Sequence, residues 1–249
     1  MRKTTRSTKI IGSLTKNVLR KTLEREIRFI SPPVVTNSDY LFLTYPRSGT
    51  FLLAHMMRVC GGGAVHLHYL PEKGKKFVKA DERVYNKKLI LLIRDYKECM
   101  TRNVYSWQRA YKNANSVTND KIDLIFSAGV DINRGGNYVR NIQLFDSWKH
   151  DKYLLYYEDL IKNKWAFVGL ARWMGLSVES LDWQIEFKKS LKNHTELTLS
   201  GGKVKYHERF LKDPEYFDKK MKYESGDLFN KYLKRYELNT SSGIARSLE

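Results

Sequence analysis

The segment from Tyr40 to Leu53 constrains the fold more than any other part of the chain. It reads YLFLTYPRSGTFLL, an apolar strand followed by a turn of small and polar residues and the start of an apolar helix. Such a turn points several backbone N–H groups at one spot, where the helix N-terminus adds partial positive charge. Arg47 adds a full charge, and Ser48 and Thr50 add hydroxyl donors. The segment predicts an anion-binding loop, with an ordinary strand–turn–helix corner as the alternative.

Two further apolar runs have the length and composition of buried strands. Lys88 to Ile93 (KLILLI) is continuous and apolar, and Tyr153 to Tyr157 (YLLYY) is similar. Helical spacing predicts helices over Thr50 to Val59, Cys99 to Tyr111, Tyr138 to Trp148 and Ser225 to Leu238. Strands that alternate with helices predict a three-layer αβα fold with a central, mainly parallel sheet. Ligands of such sheets bind beyond the carboxyl ends of the strands.

Length and composition predict one main domain. The chain has 249 residues, of which 42% are hydrophobic, which is enough for one α/β core. We expect this domain to span residues 40–238, preceded by a basic helical extension over 1–39 and followed by a disordered tail over 239–249. The spacing of apolar residues from Ile10 to Leu19 predicts an amphipathic helix. Packing on the domain and peripheral contact with a membrane are both open for this helix.

Charge and cysteine content indicate a cellular compartment but do not identify a binding partner. The formal net charge is +18, from 45 basic and 27 acidic residues spread along the chain, which favours anionic ligands in general. No apolar run approaches the ~20 residues of a membrane span, and the N-terminus lacks the pattern of a secretory signal. Cys60 and Cys99 lie in apolar segments, which favours a reducing compartment over a disulfide framework. We therefore expect a cytoplasmic protein.

Two more groups of polar residues lie beside predicted strands. Arg94 directly follows KLILLI, where it can bind a phosphate with two parallel hydrogen bonds or form a structural ion pair with Asp95 or another carboxylate. His66 and His68 alternate on an extended segment, so they share one face and suit either proton transfer or a metal. No Glu, Asp or Cys lies near them at ligand spacing, which argues against the metal.

The string TYPRSGT (44–50) resembles the 5′-phosphosulfate loop of sulfotransferases that use 3′-phosphoadenosine-5′-phosphosulfate (PAPS). Together with YYEDL (156–160) and the His66/His68 segment, it identifies the chain as a divergent member of that family over about 40–238. The resemblance implies the P-loop-like sulfotransferase fold and transfer of a sulfonyl group to a hydroxyl or amine. It also implies a histidine as general base, which is His68 in the preferred alignment and His66 in the other.

The resemblance also implies the residues that hold the cosubstrate. The 5′-phosphosulfate would lie against the loop and the next helix residues, and Arg94 would grip the 3′-phosphate. The family's serine, eight residues after that arginine, is replaced by Arg102, with Thr101 and Ser106 as near misses. The complete predicted set is Arg47, Ser48, Gly49, Thr50, Phe51, Leu52, Arg94, Thr101, Arg102, Tyr157, Gly201, Gly202 and Lys203.

Several members of this set depart from the family pattern or have a second interpretation. Phe51 offers its backbone amide, whereas Leu52 stands where the family has the tryptophan that stacks on adenine. Adenine would then be held by Tyr157 or by an aromatic residue of segment 187–210. Gly201, Gly202 and Lys203 fit a phosphate-binding lid and a plain surface turn equally well.

Two other functions remain open at this point. A nucleotide-dependent kinase on a variant P-loop would need a magnesium-binding carboxylate, for which Asp95 and Asp159 follow strands. A non-enzymatic polyanion binder would use the basic surface without a defined site. The acceptor is not specified by any motif, although the positive charge favours a polar one, such as a glycan or a small metabolite. Sequence-specific binding to nucleic acid is not expected.

Overall fold

A computed structural model describes residues 38–68, 70, 82–110, 118–130, 136–179, 181–192 and 208–237. Residues 1–37, 201–203 and 238–249 lie outside the described ranges. The predictions for the N-terminal extension (1–39), for Gly201, Gly202 and Lys203 and for the tail (239–249) therefore stay predictions. The strands are β1 (Tyr40–Thr44), β2 (Val65–Leu67), β3 (Lys88–Ile93) and β4 (Lys152–Tyr156). The α-helices are α1 (Thr50–Val59), α2 (Tyr96–Ala110), α3 (Asn119–Ala128), α4 (Tyr138–Ser147), α5 (Tyr157–Lys162), α6 (Lys164–Trp173), α7 (Trp183–Lys192), α8 (Glu208–Lys212) and α9 (Pro214–Ser225).

The four strands form one all-parallel sheet in the order β2-β1-β3-β4. Leu41 of β1 pairs with Val65 on one side and with Leu89 on the other, and Leu89 also aligns with Lys152 of β4. The chain thus leaves β1 in one direction to form β2 and returns past it to form β3. This reversal lies between β1 and β3, and such switch points are where ligands bind in open α/β sheets.

Helices cover both faces of the sheet and complete the three layers. Leu41 and Leu43 of β1 belong to the core shared with α2, α3, α4 and α9, whereas Phe42 belongs to the core shared with α1 and α6. All three side chains are fully buried. A strand buried on both faces needs apolar residues at every position, and for this reason β1 and β3 read as unbroken apolar runs.

The predicted elements agree with the structure in type and differ at several ends. The bounds of β1, α1 and β3 are confirmed. The strand predicted to end at Tyr157 ends at Tyr156, because Tyr156 is the last residue paired with β3 and the acidic side chains of Glu158 and Asp159 favour the first turn of a helix. Helix α4 ends at Ser147, one residue before the predicted end at Trp148.

Two other predicted helices have different limits. Helix α2 begins at Tyr96 instead of Cys99, because the side chain of Asp95 accepts a hydrogen bond from the backbone of Glu98 and caps the helix three residues earlier. The single helix expected from Ser225 to Leu238 was wrong. Helix α9 ends at Ser225 beside Gly226, which has a φ of 53°, and a π-helical turn (Phe229–Leu233) and a 3₁₀ turn (Lys234–Tyr236) follow.

The structure also bears on the expectations that the cysteines form no disulfide and that no segment spans a membrane. Cys60 is half-buried, Cys99 is buried, and both are free thiols. Within the described residues, no helix combines the length and the apolar character that a membrane crossing requires.

Candidate active site

The carboxyl ends of the four parallel strands bring the predicted site residues to one edge of the sheet. The anion loop follows β1, His68 follows β2, Arg94 follows β3 and Tyr157 follows β4. The loop and Arg94 lie on either side of the switch point between β1 and β3. Parallel pairing alone therefore gathers segments that are far apart in the sequence.

The loop between β1 and α1 is held in a tight, strained conformation. Arg47 has a φ of 72°, and no other non-glycine residue in the described ranges has a positive φ. Gly49, at the N-cap of α1, has a φ of 98°. The backbone N–H and the hydroxyl of Ser48 both donate to the carbonyl of Tyr45, at 3.2 and 2.7 Å. Positive φ at a non-glycine residue costs free energy and is characteristic of functional loops.

Two loop residues have surroundings that the sequence did not indicate. Ser48 is fully buried, and its hydroxyl hydrogen-bonds within the loop instead of pointing towards a ligand. Arg47 is half-buried, and its guanidinium donates to the hydroxyl of Ser106 on α2. Ser106 therefore orients the loop cation, although the sequence suggested it only as a near miss for phosphate binding.

Thr44, the last residue of β1, connects the loop to the histidine pair and was missed by sequence reasoning. Its hydroxyl oxygen lies 2.9 Å from Oγ1 of Thr50, 2.8 Å from Nε2 of His66 and 3.0 Å from Nδ1 of His68. Thr44 itself is fully buried. A polar residue at the end of an otherwise apolar strand was the available signal, because a buried hydroxyl needs partners.

Nδ1 of His68 faces two oxygens of Thr44. It lies 3.0 Å from the hydroxyl oxygen and 3.1 Å from the carbonyl oxygen, which can only accept. In the tautomer that donates to this carbonyl from Nδ1, the lone pair lies on Nε2, the nitrogen that a general base uses. His68 is buried, and Asn141 on α4 donates to its backbone carbonyl at 3.1 Å. Its ring meets that of His66 edge to face, with centroids 4.6 Å apart.

Arg94 is buried and makes contacts in three directions. Its guanidinium donates to both carboxylate oxygens of Glu98 on α2 and, at 3.2 Å, to the backbone carbonyl of Arg47. It also lies over the ring of Tyr157, 4.1 Å from the ring centroid. The ion pair allowed by the sequence is therefore present, with Glu98 as the partner in place of Asp95. Arg94 also fixes the strained residue of the loop.

Arg102 and Thr101 occupy different environments on α2. Arg102 pairs with the same carboxylate, its Nε lying 2.8 Å from Oε1 of Glu98, whereas Thr101 is fully buried. Burial alone would raise the pKa of Glu98, but the charges of Arg94 and Arg102 lower it below its ordinary value. Glu98 is therefore an ionised bridge between the two arginines that the resemblance assigns to the 3′-phosphate.

Tyr157 supports the loop from the side of β4. A Cβ added to Gly49 would lie 2.6 Å from Cε2 of Tyr157, so only glycine allows the ring this close. The side chain of Leu52 is buried in the core beneath α1 and is not available for stacking. Phe51, in contrast, is 59% exposed beside the loop. Of the aromatic residues suggested from segment 187–210, Phe210 is buried in the opposite core.

A set of acidic side chains lies behind Arg94. Glu158 accepts from the backbone N–H of Asp95 at 2.8 Å and from the hydroxyl of Tyr236. Burial raises the pKa of Asp95 to about 6. Asp159 pairs with Arg235, 3.1 Å away. In the part of the chain that the structure describes, no group of three His, Cys, Asp or Glu residues has a metal-binding arrangement.

Comparison with known proteins adds no relative. No protein-family model matches this chain, and no curated protein matches it.

Proposed function

We propose that the protein is a sulfotransferase that moves a sulfonyl group from PAPS to a hydroxyl or amine of an acceptor. The observation that carries the proposal is the loop geometry: Arg47, at a φ of 72°, precedes the N-terminus of α1 at the switch point of a parallel sheet. A backbone strained in this way, and fixed by Arg94 and Ser106, presents its N–H groups and one cation to an anion.

The loop fits the 5′-phosphosulfate end of the cosubstrate, which supplies an activated sulfonyl group. The backbone N–H groups at the start of α1 and the charge of Arg47 would stabilise the negative charge that develops on the leaving phosphate. An arginine stays protonated under these conditions, so Arg47 contributes charge and position and donates no proton. Thr50 adds a hydroxyl, which Thr44 holds at 2.9 Å.

The histidine pair fits the task of removing the acceptor's proton. With Nδ1 donating to the carbonyl of Thr44, His68 presents Nε2 as the accepting atom. The hydroxyl of Thr44 contacts His66 as well as His68, so Thr44 orients both imidazole rings. The geometry favours His68 as the base and His66 as its neighbour, in keeping with the preferred alignment.

The two alternative functions have weaker support. The kinase hypothesis relied on Asp95 and Asp159, but Asp95 caps α2 and Asp159 pairs with Arg235. The polyanion-binding hypothesis gives no reason for the strained loop or for the buried contacts of Arg94 and His68. These features support a small anionic ligand that enters a defined site.

The decisive experiment is a thermal-shift measurement with adenosine 3′,5′-bisphosphate, compared with ATP plus magnesium. The proposal predicts stabilisation by the bisphosphate without metal, and its loss in Arg47→Ala. Arg209→Ala is the matched control, because Arg209 pairs with Asp123 far along the chain from the loop. Stabilisation by magnesium-ATP alone would contradict the proposal and favour the kinase. Transfer from labelled PAPS to a panel of polar acceptors then identifies the acceptor class.

A further inference from the structure

Glu98 lies between two arginines at the first turns of α2. Its Oε1 contacts the guanidinium groups of both Arg94 and Arg102, with Nη2 of Arg102 at 2.7 Å, and its Oε2 lies 3.3 Å from Nε of Arg94. The side chains of Arg94, Glu98 and Arg102 are 8%, 19% and 16% exposed. One carboxylate thus holds two guanidinium groups in a largely buried position.

The Glu98 carboxylate competes with a second anion for the two arginines. It reduces their combined charge from +2 to +1, and it already contacts Nε and Nη2 of both guanidinium groups. Because water screens little in a partly buried site, a phosphate and the carboxylate repel each other when both contact the same guanidinium groups. A phosphate can bind fully only if the Glu98 side chain turns away.

The backbone allows this movement without unfolding the helix. The N–H of Glu98 is fixed by the side chain of Asp95 at 3.0 Å, and the carboxylate is attached through a rotatable side chain. A rotamer change of Glu98 therefore leaves the start of α2 in place. The partial exposure of the Glu98 side chain, 19%, gives the departing carboxylate access to water.

We infer that Glu98 is an internal counter-anion that competes with a nucleotide 3′-phosphate for Arg94 and Arg102 and thereby limits the preference of the site for that phosphate. Without nucleotide, Glu98 neutralises the arginines and keeps them aligned. A 3′-phosphate replaces it, because a dianion forms stronger bonds with two guanidinium groups than a single carboxylate does. This inference rests on the proposed function, whose cosubstrate carries that phosphate.

The test compares two nucleotides that differ only in the 3′-phosphate. Binding of adenosine 3′,5′-bisphosphate and of adenosine 5′-monophosphate is measured by calorimetry for wild type and Glu98→Gln. We expect the variant to bind the bisphosphate about tenfold more tightly, since a like charge leaves the site. Affinity for the monophosphate should stay within about twofold, because it has no phosphate that competes with Glu98.

Two further variants separate the local effect from general charge. Glu186→Gln removes the same charge from a carboxylate that pairs with His55 on α1, and it should leave the ratio of the two affinities unchanged. Glu98→Gln/Arg102→Gln restores the net charge of the trio and should abolish the gain. Equal tightening of both nucleotides, weaker bisphosphate binding in a folded Glu98→Gln, or a gain retained in the double variant would each overturn the inference.

A measurement on wild-type protein covers the case in which Glu98→Gln does not fold. In protein labelled with ¹⁵N-arginine, the bisphosphate should shift the Nε–H signals of Arg94 and Arg102, and the monophosphate should leave them in place. Signals that stay unmoved by the bisphosphate contradict the inference. If neither nucleotide binds wild type, the proposed function fails and the inference fails with it. If both bind but the selectivity does not depend on Glu98, only the inference fails.

Discussion

The carboxyl edge of the sheet has two halves with different chemistry. On the β1/β2 side, which we call the hydroxyl–imidazole half, one hydroxyl of Thr44 joins three polar side chains. On the β3/β4 side, the ion-pair half, charged side chains neutralise one another. The first half consists of Thr44, Thr50, His66 and His68. The second consists of Arg94, Asp95, Glu98, Arg102 and Glu158.

Under the proposed function, the two halves of this edge would serve two different tasks. Proton transfer needs a group that gains and loses a proton near neutral pH, and an imidazole meets that requirement, whereas the threonine hydroxyls can orient it. Anion binding needs permanent charge held in a fixed geometry, and buried arginines provide it. Arg47 lies between the halves, since its carbonyl accepts from Arg94 and its loop leads to Thr50. The predictions below break one half at a time.

Loss of His68, the base in the proposed mechanism, should have the largest effect. We expect His68→Ala to lower sulfonyl transfer by on the order of 10²- to 10⁴-fold, the usual contribution of a general base. Bisphosphate binding should be unchanged, since the ion-pair half is intact. His66→Ala is the matched control and should cost less. Full activity in both variants would place the base elsewhere.

Thr44→Val tests the orientation of the rings without removing either histidine. Valine keeps the shape of the side chain but removes the hydroxyl that lies 3.0 Å from Nδ1 of His68, and the backbone carbonyl of residue 44 remains. We expect a lower kcat and a displaced pH–rate profile, with partial rescue in Thr44→Ser, because serine restores the hydroxyl. A pH–rate profile identical to that of wild type would show that Thr44 serves packing alone.

Gly49 belongs to the loop between the two halves, and the ring of Tyr157 packs against it. Gly49→Ala should destabilise the protein by about 3–4 kcal/mol, because a left-handed φ and a steric clash both oppose the new Cβ. Gly61→Ala is the control: its φ is 73°, but apart from its chain neighbours no atom of the described residues lies within 4 Å of the added Cβ. It should cost about 1 kcal/mol in urea-unfolding experiments. Equal losses would show that Tyr157 moves aside readily.

The ion-pair half should lose stability when an arginine is removed. Arg94→Ala takes one partner from Glu98, whose side chain is only 19% exposed, although Arg102 remains, so we expect a loss of about 2–3 kcal/mol. Removing Arg209, whose side chain is 41% exposed and pairs with Asp123, should cost much less. Chemical denaturation measures both. Similar losses for the two variants would mean that the buried pair contributes no more than a surface pair.

The smallest expected effect is a pH dependence of folding stability. Burial raises the pKa of Asp95 to about 6, so the folded state binds the proton more tightly than the unfolded chain, whose Asp has a pKa of about 3.9. This contribution is fully present below about pH 4 and is lost as the pH rises through 6, by on the order of 1–3 kcal/mol. Asp95→Asn keeps the cap and should remove this component. An unchanged difference between pH 4 and 7 would contradict it.

Much of the fold was readable from the sequence, because buried parallel strands leave continuous apolar runs. The bounds of β1, α1 and β3 followed from such runs and from the turn residues between them. The start of α2 at Tyr96 could not be predicted in this way, because it depends on a hydrogen bond from the backbone of Glu98 to the side chain of Asp95, and apolar periodicity does not indicate such a bond. The break at Gly226 was missed because the apolar spacing continues on both sides of it.

The sequence predicted which edge of the sheet the candidate site residues share, but it did not predict most of their contacts. Strand ends indicated where Arg47, Arg94, His68 and Tyr157 would gather, since all parallel strands end at one edge. Glu98 lies four residues after Arg94, which is the spacing of a helical ion pair, but the predicted start of α2 at Cys99 left both residues outside the helix. Ser106 was not predictable as a partner of Arg47, because 59 residues separate the two and the packing that joins them is tertiary.

The parallel sheet also determines when this site can form during folding. Neighbouring strands are dozens of residues apart in sequence, as the pairing of Leu41 with Leu89 and of Leu89 with Lys152 shows. Contacts of such long range form slowly. Tyr157 and Glu158 reach the loop and Asp95 only once β4 has joined the sheet. If the proposed function holds, nucleotide binding would require β4 to be in place, so binding measured during refolding would follow the completion of the described sheet.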